Sequence, residues 1–158
     1  MIFLLLGFVC ILFIGIVLVG APYVPSKRLH IQAGLDLLNL KKGQTLVELG
    51  SGDGRVLREA SKRGIKSVGY ELNPILYIIS WVLCWKHRSN VTIKLRNYWL
   101  SDLSNADGVF VFLAGTYMNR LDRKMLKSGK GTKLVSVGFK IPDKKPLKTR
   151  SAVHLYQY

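Results

Sequence analysis

A chain of 158 residues with 49% hydrophobic residues is long enough for one domain with a modest core, and its recurring apolar runs exclude a disordered polypeptide. The formal net charge of +15, from 24 Lys and Arg against nine Asp and Glu, calls for an anionic partner: lipid headgroups, nucleic acid or an acidic protein surface. Cys10 and Cys84 have neither a CxxC partner nor a neighbouring histidine, which excludes zinc and dithiol motifs, so no metal is expected.

The first 26 residues carry no charged side chain, and residues 1–21, "MIFLLLGFVCILFIGIVLVGA", are apolar throughout. About 20 such residues span a bilayer core, so this block is expected to be a single transmembrane anchor. A cleaved signal peptide would want a basic n-region and a small-residue cleavage site, and the block has neither. Lys27, Arg28, Lys41 and Lys42 all follow it, which puts the globular part on the cytoplasmic or organelle-matrix side. Residues 22–28 form a proline-punctuated linker, and 29–158 form the domain.

The domain then reads in order. "LHIQAGLDLLNL" (29–40) has apolar residues at helical spacing, and "TLVELG" is a short buried strand. "GRVLREASKRG" is a helix closed by Gly64, and "KSVGYEL" a second strand ending before Asn73-Pro74. "PILYIISWVLCWKHR" is a helix with proline at its first position and apolar residues almost all round. Its eleven uncharged residues before Lys86 (75–85) are too few to cross a membrane, so burial against a sheet is expected, with a bilayer-resting face carrying Trp81 and Trp85 as the alternative.

"VTIKLRN" and "GVFVFL" are strands, "TYMNRLDRKMLKS" a helix, "TKLVSVGFKI" a strand and "AVHLYQY" a last strand, with "PDKKPLKTR" (142–150) a basic loop. This order predicts an α/β, Rossmann-like, doubly wound and mainly parallel sheet with a minimal C-terminal end. The stretch 116–150 holds eleven Lys or Arg against two Asp, either a solvated face or one that rests on anionic headgroups.

"VELGSGDGRV" (47–56) places glycines at 50, 52 and 54 between a strand and a helix, where a ligand must approach bare backbone. A dinucleotide fingerprint would put its third glycine at 55, which is Arg55, and no G-K-[ST] follows for a P-loop. Glu48 and Asp53 bracket the turn and would repel a phosphate. Glu71 lies 21 residues after Gly50, at the end of the second strand, where a carboxylate accepts hydrogen bonds from ribose hydroxyls. The expected ligand is adenosine-like, cationic and free of phosphate, a description that S-adenosylmethionine meets.

These residues resemble the class I (seven-strand) S-adenosylmethionine-dependent methyltransferases. "PYVPS" (22–26), "ELGSGDGR" (48–55), "GYELNP" (69–74) and "NYW" (97–99) together resemble the membrane-anchored protein-lysine methyltransferases that modify the ATP synthase c-subunit and the adenine nucleotide translocase. The resemblance implies that Gly50, Ser51 and Gly52 line the methionine part of the cofactor, with Glu48 near its ammonium group. Asp53 and Gly54 would shape the turn. Glu71 would hold the ribose, bordered by Leu72 and Asn73. Asn97 would stand beside the adenine, with Tyr98 covering the ring. The methyl group and the substrate nitrogen would meet at "FLAGTYM" (112–118), where Tyr23 and Tyr117 are candidates for orienting the amine; no general base is identifiable.

The resulting expectation is a methyltransferase that modifies a lysine of a membrane protein, on an anionic lipid surface. The alternatives are an RNA or small-molecule methyltransferase, disfavoured for RNA by the lack of an aromatic-basic platform, and a non-catalytic basic membrane-bound module.

Overall fold

The computed structural model describes residues 24–129 and 131–158, and Gly7 alone before them. The predicted anchor over 1–21 therefore lies outside the described residues, Gly7 apart. Among the described residues no helix is long and apolar enough to cross a membrane.

Strand β1 (Thr45–Leu49) is buried from Leu46 to Leu49, which is why its sequence is continuously apolar apart from Glu48. It lies at the centre of a seven-stranded sheet and pairs in parallel with β2 (Lys66–Glu71) on one side and β4 (Gly108–Val111) on the other. The chain order reverses between β1 and β4, which opens a crevice at the carboxyl ends of these strands, the usual place for a ligand in such sheets. Beyond β2 comes β3 (Val91–Leu95), and beyond β4 comes β5 (Lys133–Val137), both parallel.

The C-terminal end is fuller than its sequence suggests. A three-residue strand, β6 (Lys148–Arg150), pairs antiparallel with β7 (Val153–Gln157), which itself inserts antiparallel beside β5. The full order is β3-β2-β1-β4-β5-β7-β6. The expectation of a basic loop through 150 with one strand after it is thus corrected. The hairpin turns on Ser151 and Ala152, with φ of 50° and 58°. Two successive positive-φ residues match the strand twist in a two-residue hairpin, but Asn-Gly is the usual signal and is missing here.

Helices α1 (Arg28–Leu38) and α2 (Arg55–Lys62) cover one face, where Ile31, Leu35, Leu38, Val56 and Ala60 pack with Leu46, Phe110 and Val135. Gly34 permits this approach, since a Cβ there would stand 2.4 Å from the Phe110 ring. On the other face α4 (Met118–Ser128) buries Met118, Leu121 and Met125 against Val109, Val111 and Leu134.

Helix α3 (Pro74–Leu83) sits beside α2 over β2 and β3, and here a second expectation fails. Burial against the sheet predicts apolar side chains pointing inward, yet the only buried residue within it is Ser80, followed by Cys84 just past its end. Its isoleucines and tryptophans face outward.

Candidate active site

The crevice is built by two loops that bond to each other. After β1 the chain bends through Gly50 (φ 86°), Gly52 (φ 53°) and Gly54 (φ 74°), a left-handed run that side-chain-bearing residues resist. The amides of Gly50 and Ser51 both donate to the Tyr70 carbonyl, at 2.9 and 3.0 Å. The loop thereby hangs from the end of β2. Gly69 of that strand lies against it: a Cβ there would stand 2.7 Å from the Ser51 side chain.

Glu71 is the hub. Its Oε2 accepts from the Gly52 amide at 2.7 Å, and its Oε1 accepts from the amides of Leu72 and Asn73 at 2.9 and 2.8 Å. Oε1 is thereby filled, while Oε2 keeps lone-pair capacity for a further donor. Asn73, buried, turns its side chain the other way and caps α3, its Oδ1 accepting from Ile75 and Leu76. Leu72 is half-buried at the rim.

Glu48 and Ser51 stand out because they are incomplete. Both are buried, and Glu48 Oε2 and Ser51 Oγ have no hydrogen-bond partner. Burial, with the charges of Asp53 and Glu71 nearby, pushes the Glu48 carboxyl well above the usual carboxylate range. Two orphaned oxygens beside a cluster of acids suit a ligand that donates hydrogen bonds and carries positive charge.

Asp53 does not share that role. It chelates Arg55 through Nε to Oδ1 and Nη2 to Oδ2, both at 2.9 Å, with Arg58 at 3.7 Å. Burial pushes its pKa up, but the Arg55 hydrogen bonds and the two guanidinium charges outweigh this and hold it below the usual range. Its charge is thereby shared between these two guanidinium groups and Glu48, whose carboxyl it still helps to push up. Gly54 closes the loop against α3, where a Cβ would meet Cys84 Sγ at 2.7 Å.

The far end of the crevice carries Asn97, Tyr98 and Trp99. Asn97 Oδ1 accepts from the Trp99 amide at 3.0 Å and fixes this turn. Tyr98 is buried in the core, and burial pushes its hydroxyl up to about 12. Its ring meets Trp99 at 4.9 Å, and Trp99 meets Tyr117 at 6.1 Å. Tyr117 is half-buried in the turn before α4; Tyr23 lies outside the described residues.

The sequence reading missed two cations that complete this cluster. The Arg120 guanidinium lies 4.2 Å from the Trp99 ring centroid, and Lys124 Nζ donates to the carbonyls of Trp99 and Ser101. Their spacing was available, since Arg120 and Lys124 are one helical turn apart on α4, but nothing local ties that helix to residue 99.

Comparison with known proteins agrees with this geometry. Residues 48–148 match the ANTKMT methyltransferase domain family. The chain is 33% identical over 106 residues to the human (Homo sapiens) lysine N-methyltransferase of the ATP synthase c-subunit, covering 66% of this chain and 45% of that protein. It is 32% identical over 130 residues to the Mus musculus adenine nucleotide translocase lysine N-methyltransferase, covering 80% and 56%. The chain thus spans about half the length of the curated relatives it matches. Among solved structures, an RNA methyltransferase from Salinibacter ruber in complex with S-adenosyl-L-homocysteine superimposes with a TM-score of 0.80 at 25% identity, covering 85% of this chain and 93% of that one. With residues 48–148 carrying the family pattern on a seven-stranded sheet of this order, the chain belongs to the ANTKMT methyltransferase domain family.

Proposed function

We propose that this chain is an S-adenosylmethionine-dependent methyltransferase acting on a lysine side chain of a membrane protein, held at an anionic membrane surface by a single N-terminal span with its domain on the cytoplasmic or organelle-matrix side. The observation that carries the reading is the pair of orphaned buried oxygens, Glu48 Oε2 and Ser51 Oγ, beside a glycine loop bonded to Glu71. The residues present fit the cofactor. Glu48 would face its ammonium group, the backbone of Gly50, Ser51 and Gly52 its methionine part, and Glu71 its ribose hydroxyls. Leu72, Asn73, Asn97 and Tyr98 would border the nucleoside.

When bound, S-adenosylmethionine supplies a methyl group on a good sulfur leaving group. The chain's own task is to position a neutral amine in line with that bond. The turn before α4 brings Tyr117 to the rim, where its hydroxyl would orient the amine, with Tyr23 as the second candidate. Arg120, stacked on Trp99, adds a positive charge that disfavours a protonated lysine beside it. That charge favours the neutral, reactive form of the amine, and the hydroxyl its alignment.

Titration calorimetry of S-adenosylmethionine into the detergent-solubilised chain tests the site. Removing a carboxylate that accepts charged hydrogen bonds costs about 1.5–3 kcal/mol, so Glu71→Ala should weaken binding roughly tenfold to hundredfold. Labelled methyl transfer into membrane proteins, recovered as methyl-lysine on hydrolysis, tests the substrate. Absence of binding by the folded wild type would leave a non-catalytic module.

The likeness to an RNA methyltransferase and the +15 charge favour a second reading, RNA methylation. Label appearing in RNA, with RNA retention that weakens as salt rises, would select it over the first.

A further inference from the structure

Helix α3 inverts the usual amphipathic arrangement. Its buried contacts with the body are the small residues Ser80 and Cys84, whose Sγ reaches the Gly54 carbonyl at 3.7 Å, with Leu76 and Tyr77 half-buried beside them. Its large apolar residues face outward: Ile78 is 60% exposed, Val82 59% and Trp81 50%, with Ile75, Ile79 and Leu83 exposed beside them. Scattered exposed apolar residues need no explanation, but a whole helix of them marks a surface that something covers.

The chemistry of the rim says what. Trp85, just past the helix end, packs edge-on to Trp81 at 4.9 Å and carries the Arg88 guanidinium 4.4 Å from its ring centroid. No Asp or Glu occurs from residue 72 to residue 101, while Lys86, Arg88, Lys94 and Arg96 in this stretch are all exposed. An apolar strip ending in paired tryptophans, in a stretch of chain whose only charged side chains are cations, matches the layered chemistry of an anionic bilayer: acyl chains, interface, headgroups.

The path of the chain agrees. The Ser26 carbonyl accepts from Arg55 Nη1 at 3.3 Å, beside the Gly54 against which α3 packs. The polypeptide that follows the charge-free run 1–21 thus joins the body at the start of α2, whose preceding Gly54 packs against Cys84 at the end of α3.

We infer that α3 lies in the membrane plane, its apolar face seated in the acyl–headgroup boundary of an anionic bilayer, as a second attachment besides the N-terminal run. Interfacial helices of this kind sink about 5–10 Å below the headgroup level. The cations of 140–150 lie at the opposite edge of the sheet, beyond β7, and Lys144 and Arg150 there pair with Asp122 and Asp36. The contact needs no methyl transfer, so its test is independent of the activity.

The test reconstitutes the full chain in phosphatidylcholine–phosphatidylglycerol vesicles, with and without bromine on the acyl chains, and reads tryptophan emission. Bromolipid should quench the wild type and shift its emission to the blue. Trp81→Phe/Trp85→Phe should abolish the quenching, because the remaining Trp99 is stacked under Arg120. Ile78→Asp/Val82→Asp, at exposed positions that leave the core intact, should also lose it at unchanged circular dichroism. Quenching absent in the wild type, as when residues 1–23 or a second copy covers the helix, overturns the inference. Equal quenching in the aspartate variant, or quenching borne by Trp99, overturns it as well.

Discussion

Glu48 shows how a single residue can be unstable on its own terms and useful for that reason. Its carboxyl is buried beside Asp53 and Glu71, and burial first, then those two charges, push its pKa well above the usual carboxylate range. The sign follows directly. A carboxyl whose folded pKa is raised binds protons more readily in the native state, so ligand-free stability declines as pH climbs from the ordinary carboxylate range to the raised value. Glu48→Gln should remove that decline, as read from unfolding midpoints across this window. A cationic ligand needs the ionised form, so wild-type affinity for S-adenosylmethionine should fall by up to about tenfold per pH unit below the raised pKa, and Glu48→Gln should flatten the dependence. Titration calorimetry at several pH values reads both.

Elements differ in how openly the sequence announces them. The strand–glycine loop–helix unit and the acid ending β2 are legible because their spacing along the chain is their geometry: Gly52 and Glu71 bond to each other only in that register. The orientation of α3 is not legible, since a helix apolar on every side has no periodic face to read, and only the small Ser80 and Cys84 reveal which side turns inward. Strand β6 escapes for a different reason. All three of its residues are exposed, and its turn lacks glycine and asparagine. Positive φ costs a side-chain-bearing residue roughly 1–2 kcal/mol, so Ser151→Asn/Ala152→Gly should raise stability by about that amount. Chemical denaturation would show the gain; a loss would mean the hairpin turns differently.

For the whole molecule, a net charge of +15 favours an anionic partner without saying where it would touch. Cations near such a surface contribute about 1 kcal/mol each. With α3 as the contact, Lys86→Glu/Arg88→Glu should markedly reduce bromolipid quenching of the reconstituted chain in phosphatidylglycerol-containing vesicles, while Lys145→Glu/Lys148→Glu at the far edge changes it little. Quenching compared at low and high salt distinguishes them, and the reverse ranking would move the contact to the β6 edge. The aromatic and cationic cluster around Trp99 was hidden at this scale too, because α4 meets residue 99 only after the sheet has formed.

The bond between Ser26 and Arg55 has a consequence for reach. The apolar run ends at Ala21, so four residues, 22–25, separate it from Ser26, which is already fastened to the body. Fully extended, that leash spans roughly 18 Å. With the run 1–21 spanning the bilayer, as proposed, an enzyme on so short a leash would search a plane rather than a volume, trading range for a high local concentration of whatever diffuses beside it in the bilayer. It would serve lysines that emerge at the headgroup level, and a lysine raised on a tall soluble domain would pass overhead untouched.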